Sequence, residues 1–359
     1  MASYKVGILG ATGAVGEQMR IVLAERKFPI SELRLFGSAR SAGKVINYEG
    51  QDIVVQEASL EAFKGLDLLL GAADNPVAKQ FLPEAAKMGI HVVDNSSAFR
   101  LDPDVPLVIP EVNPEDVKLS KGLIANPNCA TIIGLTAVNA LHRHARIRRM
   151  VVSTYQAVSG AGKAGIDALE AEVKAADGQR AEGSCFPYPI AYNLIPQIGG
   201  FNEMGYSSEE MKMQNEGRKM LHDETIRFAC TCVRVPIIRS HSEAITLEFE
   251  NDITPEEARA IIEAAPGVQL VDDPADKRRE LLAEAPGVVL CDDPNNGQYP
   301  MPLLTSDQDL VYVGRVRRDL SADAASFNRS LTLFCCADQV RKGAATNAVQ
   351  IAELIFGLK

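Results

Sequence analysis

Tyr4-Lys5-Val6-Gly7-Ile8-Leu9-Gly10-Ala11-Thr12-Gly13-Ala14-Val15-Gly16 stands at the start of the chain. Its first six residues read as a strand, its glycines as a turn, and the run to about Arg26 as a helix. Strand, glycine turn and helix in this order form the setting of a dinucleotide-binding loop. Glycines let the backbone approach a pyrophosphate, and the helix N-terminus offers N–H groups and the positive end of its dipole. Gly10, Thr12, Gly13, Ala14 and Val15 are therefore candidate cofactor contacts. A glycine turn kept for steric reasons alone has the same local sequence.

The next strand, Leu33 to Gly37, leads into Ser38-Ala39-Arg40-Ser41 rather than to an acidic residue. An arginine and a hydroxyl at this point suit a ribose 2′-phosphate, which favours NADP over NAD. The alternative is that Arg40 is a solvated loop residue. Leu66 to Ala73 and His91 to Asp94 read as further strands around a helix from about Pro76 to Met88. The alternation predicts a parallel, doubly wound sheet. Asn95-Ser96-Ser97-Ala98-Phe99-Arg100 leaves the carboxyl end of a strand, where such sheets bind ligands. Arg100 is an anion anchor or a surface charge.

Further along, Gly122-Leu123-Ile124-Ala125 ends a strand, and Asn126-Pro127-Asn128-Cys129-Ala130-Thr131 runs into an apolar helix. A thiol at a helix start faces unpaired N–H groups, which favour the nucleophilic thiolate. A buried structural cysteine is the competing reading. Beyond this helix the pattern changes. Met150 to Val158 is β-rich and ends at Ser159-Gly160-Ala161-Gly162-Lys163, and a charged helix covers Ser208 to Asp223. Glu209 and Lys212 share a face of it, and spacing alone makes them an ordinary exposed ion pair. Phe228 to Ile238 reads as one strand carrying Arg234, and Ala244 to Glu250 as the next. His241 sits at the junction, as a base or as a structural histidine. Strands Leu310 to Arg317 and Ser330 to Cys336 and a helix from Val340 to Phe356 complete the pattern, giving an α+β region with a mixed sheet.

Ala265-Pro266-Gly267-Val268-Gln269-Leu270-Val271-Asp272-Asp273-Pro274 recurs as Ala285-Pro286-Gly287-Val288-Val289-Leu290-Cys291-Asp292-Asp293-Pro294. One recurrence is too few for a solenoid, so a duplication in a surface connection is expected. The 359 residues suffice for two domains, and a net charge of −10 argues against a nucleic-acid partner. No apolar run is long enough to span a bilayer, and no signal peptide is expected. Seven cysteines without a CxxC pair argue against a disulfide framework or zinc site and for a reducing, cytoplasmic setting.

Taken together, the glycine loop, Asn126-Pro127-Asn128-Cys129, Tyr155-Gln156-Ala157-Val158-Ser159-Gly160-Ala161-Gly162, and Cys232-Val233-Arg234-Val235-Pro236 through His241-Ser242-Glu243-Ala244 closely resemble the aspartate-β-semialdehyde dehydrogenase family. The resemblance implies a Rossmann-like NADP-binding domain of residues 1–129 and 340–359 and a catalytic and dimerisation domain of residues 130–339. It implies a homodimer that interconverts L-4-aspartyl phosphate and NADPH with L-aspartate 4-semialdehyde, phosphate and NADP⁺, serving lysine, threonine and methionine synthesis. Carried over by motif, Cys129 is the acyl-accepting nucleophile, His241 the acid/base, and Gln156 the orienting residue for the thioacyl group. Arg234 grips the substrate carboxylate, Glu209 meets its ammonium, and Arg100, Lys212 and Asn128 serve the phosphate. Ser159, Gly160 and Gln339 are nicotinamide-side contacts. The rival, N-acetyl-γ-glutamyl-phosphate reductase, would leave Glu209 without an ammonium partner, and its motif puts Gly before the cysteine where this chain has Asn128. The duplicated segment departs from the family pattern but lies outside every catalytic motif.

Overall fold

The computed structural model describes residues 2–272 and 299–358, which form two compact units. The first comprises residues 1–128, 219–221 and 343–359, and the second residues 129–218 and 222–342.

In the first unit the chain runs β1 (Tyr4–Leu9), α1 (Ala14–Glu25), β2 (Ile30–Gly37), the β3 (Val45–Tyr48) and β4 (Gln51–Val54) hairpin, β5 (Gln56–Glu57), α2 (Leu60–Phe63), β6 (Leu68–Gly71), α3 (Asn75–Lys87), β7 (His91–Asp94) and β8 (Leu123–Ala125). The six-stranded sheet has the order β5-β2-β1-β6-β7-β8, parallel throughout. Strand succession reverses direction between β1 and β6, and the glycine turn leaves β1 at that switch point, where open parallel sheets form their binding crevice. β6 is buried along its whole length, as a strand covered on both faces must be. Asp74 caps α3 by accepting from Val77 N, and Pro76 supplies the preset φ of a first turn.

The first unit's core is closed from the far end of the chain. α1 and the final helix place Met19, Val22, Leu23, Ala348, Val349, Ile351 and Ala352 against Val6, Ile8, Leu68 and Leu70. Arg26 clamps Glu353 through two hydrogen bonds of 2.9 and 2.6 Å. The expected helix from Val340 to Phe356 is shorter. A π-helical turn occupies Arg341–Ala345 before the α-helix Thr346–Ile355 begins.

The second unit contains α4 (Cys129–Ala145), β9 (Ile147–Gln156), α5 (Lys163–Ala175), α6 (Ser208–Leu221), β10 (Arg227–Arg234), β11 (His241–Phe249), α7 (Pro255–Glu263), β12 (Val268–Leu270), α8 (Pro302–Thr305), β13 (Val311–Arg318) and β14 (Ser330–Ala337). The last helix of the chain, Thr346–Ile355, is α9. The sheet order is β10-β9-β11-β14-β13-β12, with β10/β9 and β12/β13 parallel and the other pairs antiparallel. This is the mixed sheet that the sequence led one to expect. α4 lies on one face, where Met150, Val152 and Thr154 of β9 are buried, whereas Val151, Ser153 and Tyr155 on the other face are partly or fully exposed.

Further differences from expectation bear on the site and its surroundings. β10 ends at Arg234 rather than at Ile238, because Pro236 has no N–H to continue the ladder. β11 begins at His241, three residues before the expected Ala244, so the histidine is part of the sheet. The first copy of the duplicated segment is not a plain connection, since its Val268–Leu270 forms the edge strand β12. The second copy lies outside the described residues. Among the described residues no helix is long and apolar enough to cross a membrane.

Candidate active site

In the second unit the last residue of β9, the last of β10 and the first of β11 are Gln156, Arg234 and His241. Arg234 is in register with Gln156 across the parallel β10/β9 pair, and β11 enters from the opposite direction. Three segments far apart in sequence thus deliver three buried polar side chains to one end of the sheet.

The Ala157 peptide joins two of them. Arg234 Nη1 donates to its carbonyl at 2.6 Å, and its N–H donates to His241 Nδ1 at 3.1 Å. With Nδ1 accepting, the neutral imidazole carries its proton on Nε2. Burial, reinforced by the neighbouring Arg234 charge, lowers the His241 pKa to about 3, so the ring is neutral at ordinary pH. Burial also lowers the Arg234 pKa, opposed by Glu209 and by Cys129, which both lie within its electrostatic reach. The Phe186 ring stands 6.0 Å from the guanidinium.

Glu209 is buried, contrary to its reading as one partner of an exposed pair. Its Oε1 accepts from Gln156 Nε2 at 3.1 Å, and its Oε2 from Lys212 Nζ at 2.7 Å. The helix spacing of three residues puts both on one face of α6, and the partly exposed lysine reaches back over the buried carboxylate. Cys129, partly buried, is the first residue of α4.

Gly160 lies against this group. A Cβ there would stand 2.7 Å from Arg234 Nη1 and 3.3 Å from His241 Nε2. Ser159 meets Gln339 through a side-chain hydrogen bond, and Gln339 Oε1 accepts from Ser240 N at 2.8 Å. Ser240 adopts φ of 72°, a left-handed conformation unfavourable for serine, immediately before His241. Gln339 therefore steadies both Ser159 and the backbone that aims the histidine. Sequence reasoning found Gln339 but not Ala157, Ser240 or Phe186. A backbone peptide, a strained serine and a phenylalanine carry no signal of their own.

In the first unit, the turn between β1 and α1 has the shape of a phosphate cradle. Gly10 has φ of 83°, and a Cβ on it would lie 2.5 Å from Ala72 O. α1 starts after Gly13 with no side-chain cap, so its first N–H groups face outward from the Ala14-Val15 turn. Thr12 Oγ1 lies 3.4 Å from Ser41 Oγ, and exposed Arg40 adjoins them. These residues fit a dinucleotide. Arg100 is no surface charge. It is buried, with Nε donating to Asn126 O and Nη2 to Asn95 O, both at 2.9 Å. Asn128 is buried too.

Comparison with known proteins gives a consistent result. Residues 5–120 match the semialdehyde dehydrogenase NAD-binding domain, and residues 138–342 the semialdehyde dehydrogenase dimerisation domain. The aspartate-semialdehyde dehydrogenase of Aquifex aeolicus is 47% identical over 98% of each chain. The crystal structure of aspartate semialdehyde dehydrogenase II from Vibrio cholerae, complexed with ASA, superposes with a TM-score of 0.89 at 40% identity over 99% of each chain. The Candida albicans aspartate semialdehyde dehydrogenase structure with NADP gives a TM-score of 0.72 at 25% identity over 99% of each chain.

Proposed function

This chain belongs to the aspartate-semialdehyde dehydrogenase family, and from that premise we propose that it catalyses the NADPH-dependent reductive dephosphorylation of L-4-aspartyl phosphate to L-aspartate 4-semialdehyde, in the synthesis of lysine, threonine and methionine. The observation that carries the reading is the convergence of Gln156, Glu209, Arg234 and His241, with Cys129 in electrostatic reach of Arg234.

Each residue has a role that its chemistry suits. The Cys129 thiolate attacks the acyl carbon, the C–S bond forms, and phosphate leaves with the electrons of the broken C–O bond. In this reading the backbone N–H groups at the start of α4 supply the donors for the tetrahedral oxyanion. Gln156 orients the resulting thioacyl group; once that carbon is reduced, its C–S bond breaks and Cys129 leaves as the thiolate, releasing the aldehyde. Arg234 takes the substrate carboxylate with its planar fork, and Glu209 takes the ammonium. Lys212 is a phosphate contact. Arg100 and Asn128 are anion contacts of the first unit. His241 handles the proton at the reacting oxygen through Nε2. Substrate anions raise its proton affinity, against the effect of Arg234.

The nucleotide is held by Gly10, Thr12, Gly13, Ala14 and Val15, with Arg40 and Ser41 as the 2′-phosphate contacts that favour NADP. Ser159, Gly160 and Gln339 are the nicotinamide-side contacts. When bound, the nicotinamide supplies the hydride.

The working form is a homodimer. Its support is the match to the dimerisation domain and the partly exposed sheet face bearing Val151, Ser153, Tyr155, Thr231, Val233, Ala244 and Thr246. A reducing, cytoplasmic setting agrees with the unbridged cysteines Cys129, Cys185, Cys230, Cys232, Cys335 and Cys336.

The test is NADPH formation from aspartate semialdehyde with phosphate, run beside N-acetylglutamate semialdehyde and beside Cys129→Ala. Turnover of the first substrate alone, lost in Cys129→Ala, is the expected result. A preference for the acylated substrate would reassign the chain to the rival reductase activity.

A further inference from the structure

Glu243 is a part of the second unit's interior that the mechanism leaves unused. It is wholly buried, and among the described residues neither of its carboxyl oxygens has a hydrogen-bond partner. Burial, with Cys232 close by, raises its pKa well above the usual carboxylate range, which favours its neutral form. Its placement is specific. It follows His241 by two residues on the same face of β11, in a row across the sheet with Cys232, Thr154 and Cys335. α4 presses on this row at Gly134, where a Cβ would lie 2.6 Å from Glu243 Oε2 and 3.5 Å from Met213 Cε. Met213 belongs to α6, which carries Glu209 and Lys212. A glycine within a helix and an unpaired carboxyl in a core are each unfavourable. Here the two fit one another, at the meeting point of the elements that bear Cys129, Glu209 and His241.

We propose that Glu243 is a positioning residue: its carboxyl group, seated in the notch that Gly134 leaves in α4, sets the depth at which the helix bearing Cys129 lies on the strand bearing His241. The role needs the volume and shape of the group, not its charge. It rests on the catalytic reading above and deepens it.

The experiment compares the wild type with Gly134→Ala, Glu243→Ala, Glu243→Gln and the Gly134→Ala/Glu243→Ala double variant. Turnover of aspartate semialdehyde and iodoacetamide alkylation of Cys129 are the two readouts. Gly134→Ala forces a methyl into the carboxyl, lifts α4, and lowers kcat about tenfold to a hundredfold with KM within about twofold. Glu243→Ala loses a comparable factor, and Glu243→Gln, of the same shape, stays within about threefold of the wild type. In the double variant the methyl occupies space the carboxyl has left, so kcat recovers above either single variant. Losses that multiply in the double variant, a Gln variant as impaired as the Ala variant, or an effect on KM alone would overturn the proposal. Should Glu243→Ala not fold, Glu243→Ser replaces it, and an unchanged kcat in Gly134→Ala overturns the proposal by itself. An inactive wild type would instead count against the catalytic reading, which keeps the two failures apart.

Discussion

Gly160 and His241 approach so closely that no side chain fits between them: a Cβ on Gly160 would lie 3.2 Å from Cε1 and 3.3 Å from Nε2 of the imidazole, and nearer still to Arg234. Arg234 cannot swing aside, because it is buried and donates to Ala157 O. Gly160→Ala is therefore expected to fold normally and to lose kcat/KM by about a hundredfold. Steady-state kinetics beside a thermal melt check it, and wild-type kinetics in a folded Gly160→Ala variant would show that the crowding is harmless.

Arg40 adjoins Ser41 beyond the end of β2 and is exposed. Arg40→Ala is expected to raise the KM for NADPH about tenfold, the equivalent of roughly 1.4 kcal/mol. The KM for NADH should not move. Equal effects on both nucleotides would mean that Arg40 does not read the 2′-phosphate.

The depressed pKa of His241, about 3 in the fold, has a consequence for stability. An unfolded histidine titrates near ~6.5, so between the two values the unfolded chain binds a proton that the folded chain refuses. Stability then falls on acidification through this window, by up to ~1.4 kcal/mol per pH unit from this one group. Urea unfolding of the wild type and His241→Gln across the window should show a shallower pH dependence in the variant.

Glu243 acts in the opposite sense. Its folded pKa is raised, so the folded chain keeps a proton that the unfolded chain releases above about pH 4.3. Its contribution is intact at acid pH and is lost as the pH rises towards the folded pKa. Glu243→Gln, which cannot ionise, should gain stability relative to the wild type as the pH rises. A gap that stays constant with pH would show that Glu243 is charged in the fold.

Glu172 organises the irregular segment after α5. Its buried carboxylate accepts from the N–H groups of Ala181, Ile190 and Ala191 at 3.1, 2.6 and 2.9 Å. Glu172→Ala strands these donors and should cost about 2–4 kcal/mol. Denaturant unfolding measures the loss, and limited proteolysis should locate it between residues 176 and 195.

The first unit was largely legible in the sequence, because strand–helix alternation with a glycine turn leaves few topologies open. Cys129 could be placed at a helix start for a similar local reason. The candidate cluster was not legible from pattern alone. Gln156, Arg234 and His241 meet only through the pairing of β9 with β10 and β11, a non-local fact. Resemblance supplied those names, and the geometry shows the same residues brought together. Where the pattern misled, the cause is specific. Val235, Ile237 and Ile238 extend the apolar rhythm of β10 past the proline that stops it. Glu209 reads as solvated because helix spacing says nothing of what covers a face.

The first unit is discontinuous, built from the opening of the chain and its last residues, with the second unit inserted between. During synthesis, the apolar stripe of α1 and the sheet it lies on must wait for α9 before their core can close. The inserted unit, nearly continuous in sequence, has its strands and helices available much earlier. The second unit is thus positioned to fold ahead of the first, so that a chain stalled before α9 would carry an organised mixed sheet and an unfinished, sticky parallel-sheet core. Loss of the last helix would be felt at the N-terminus, the part of the sequence farthest from it along the chain.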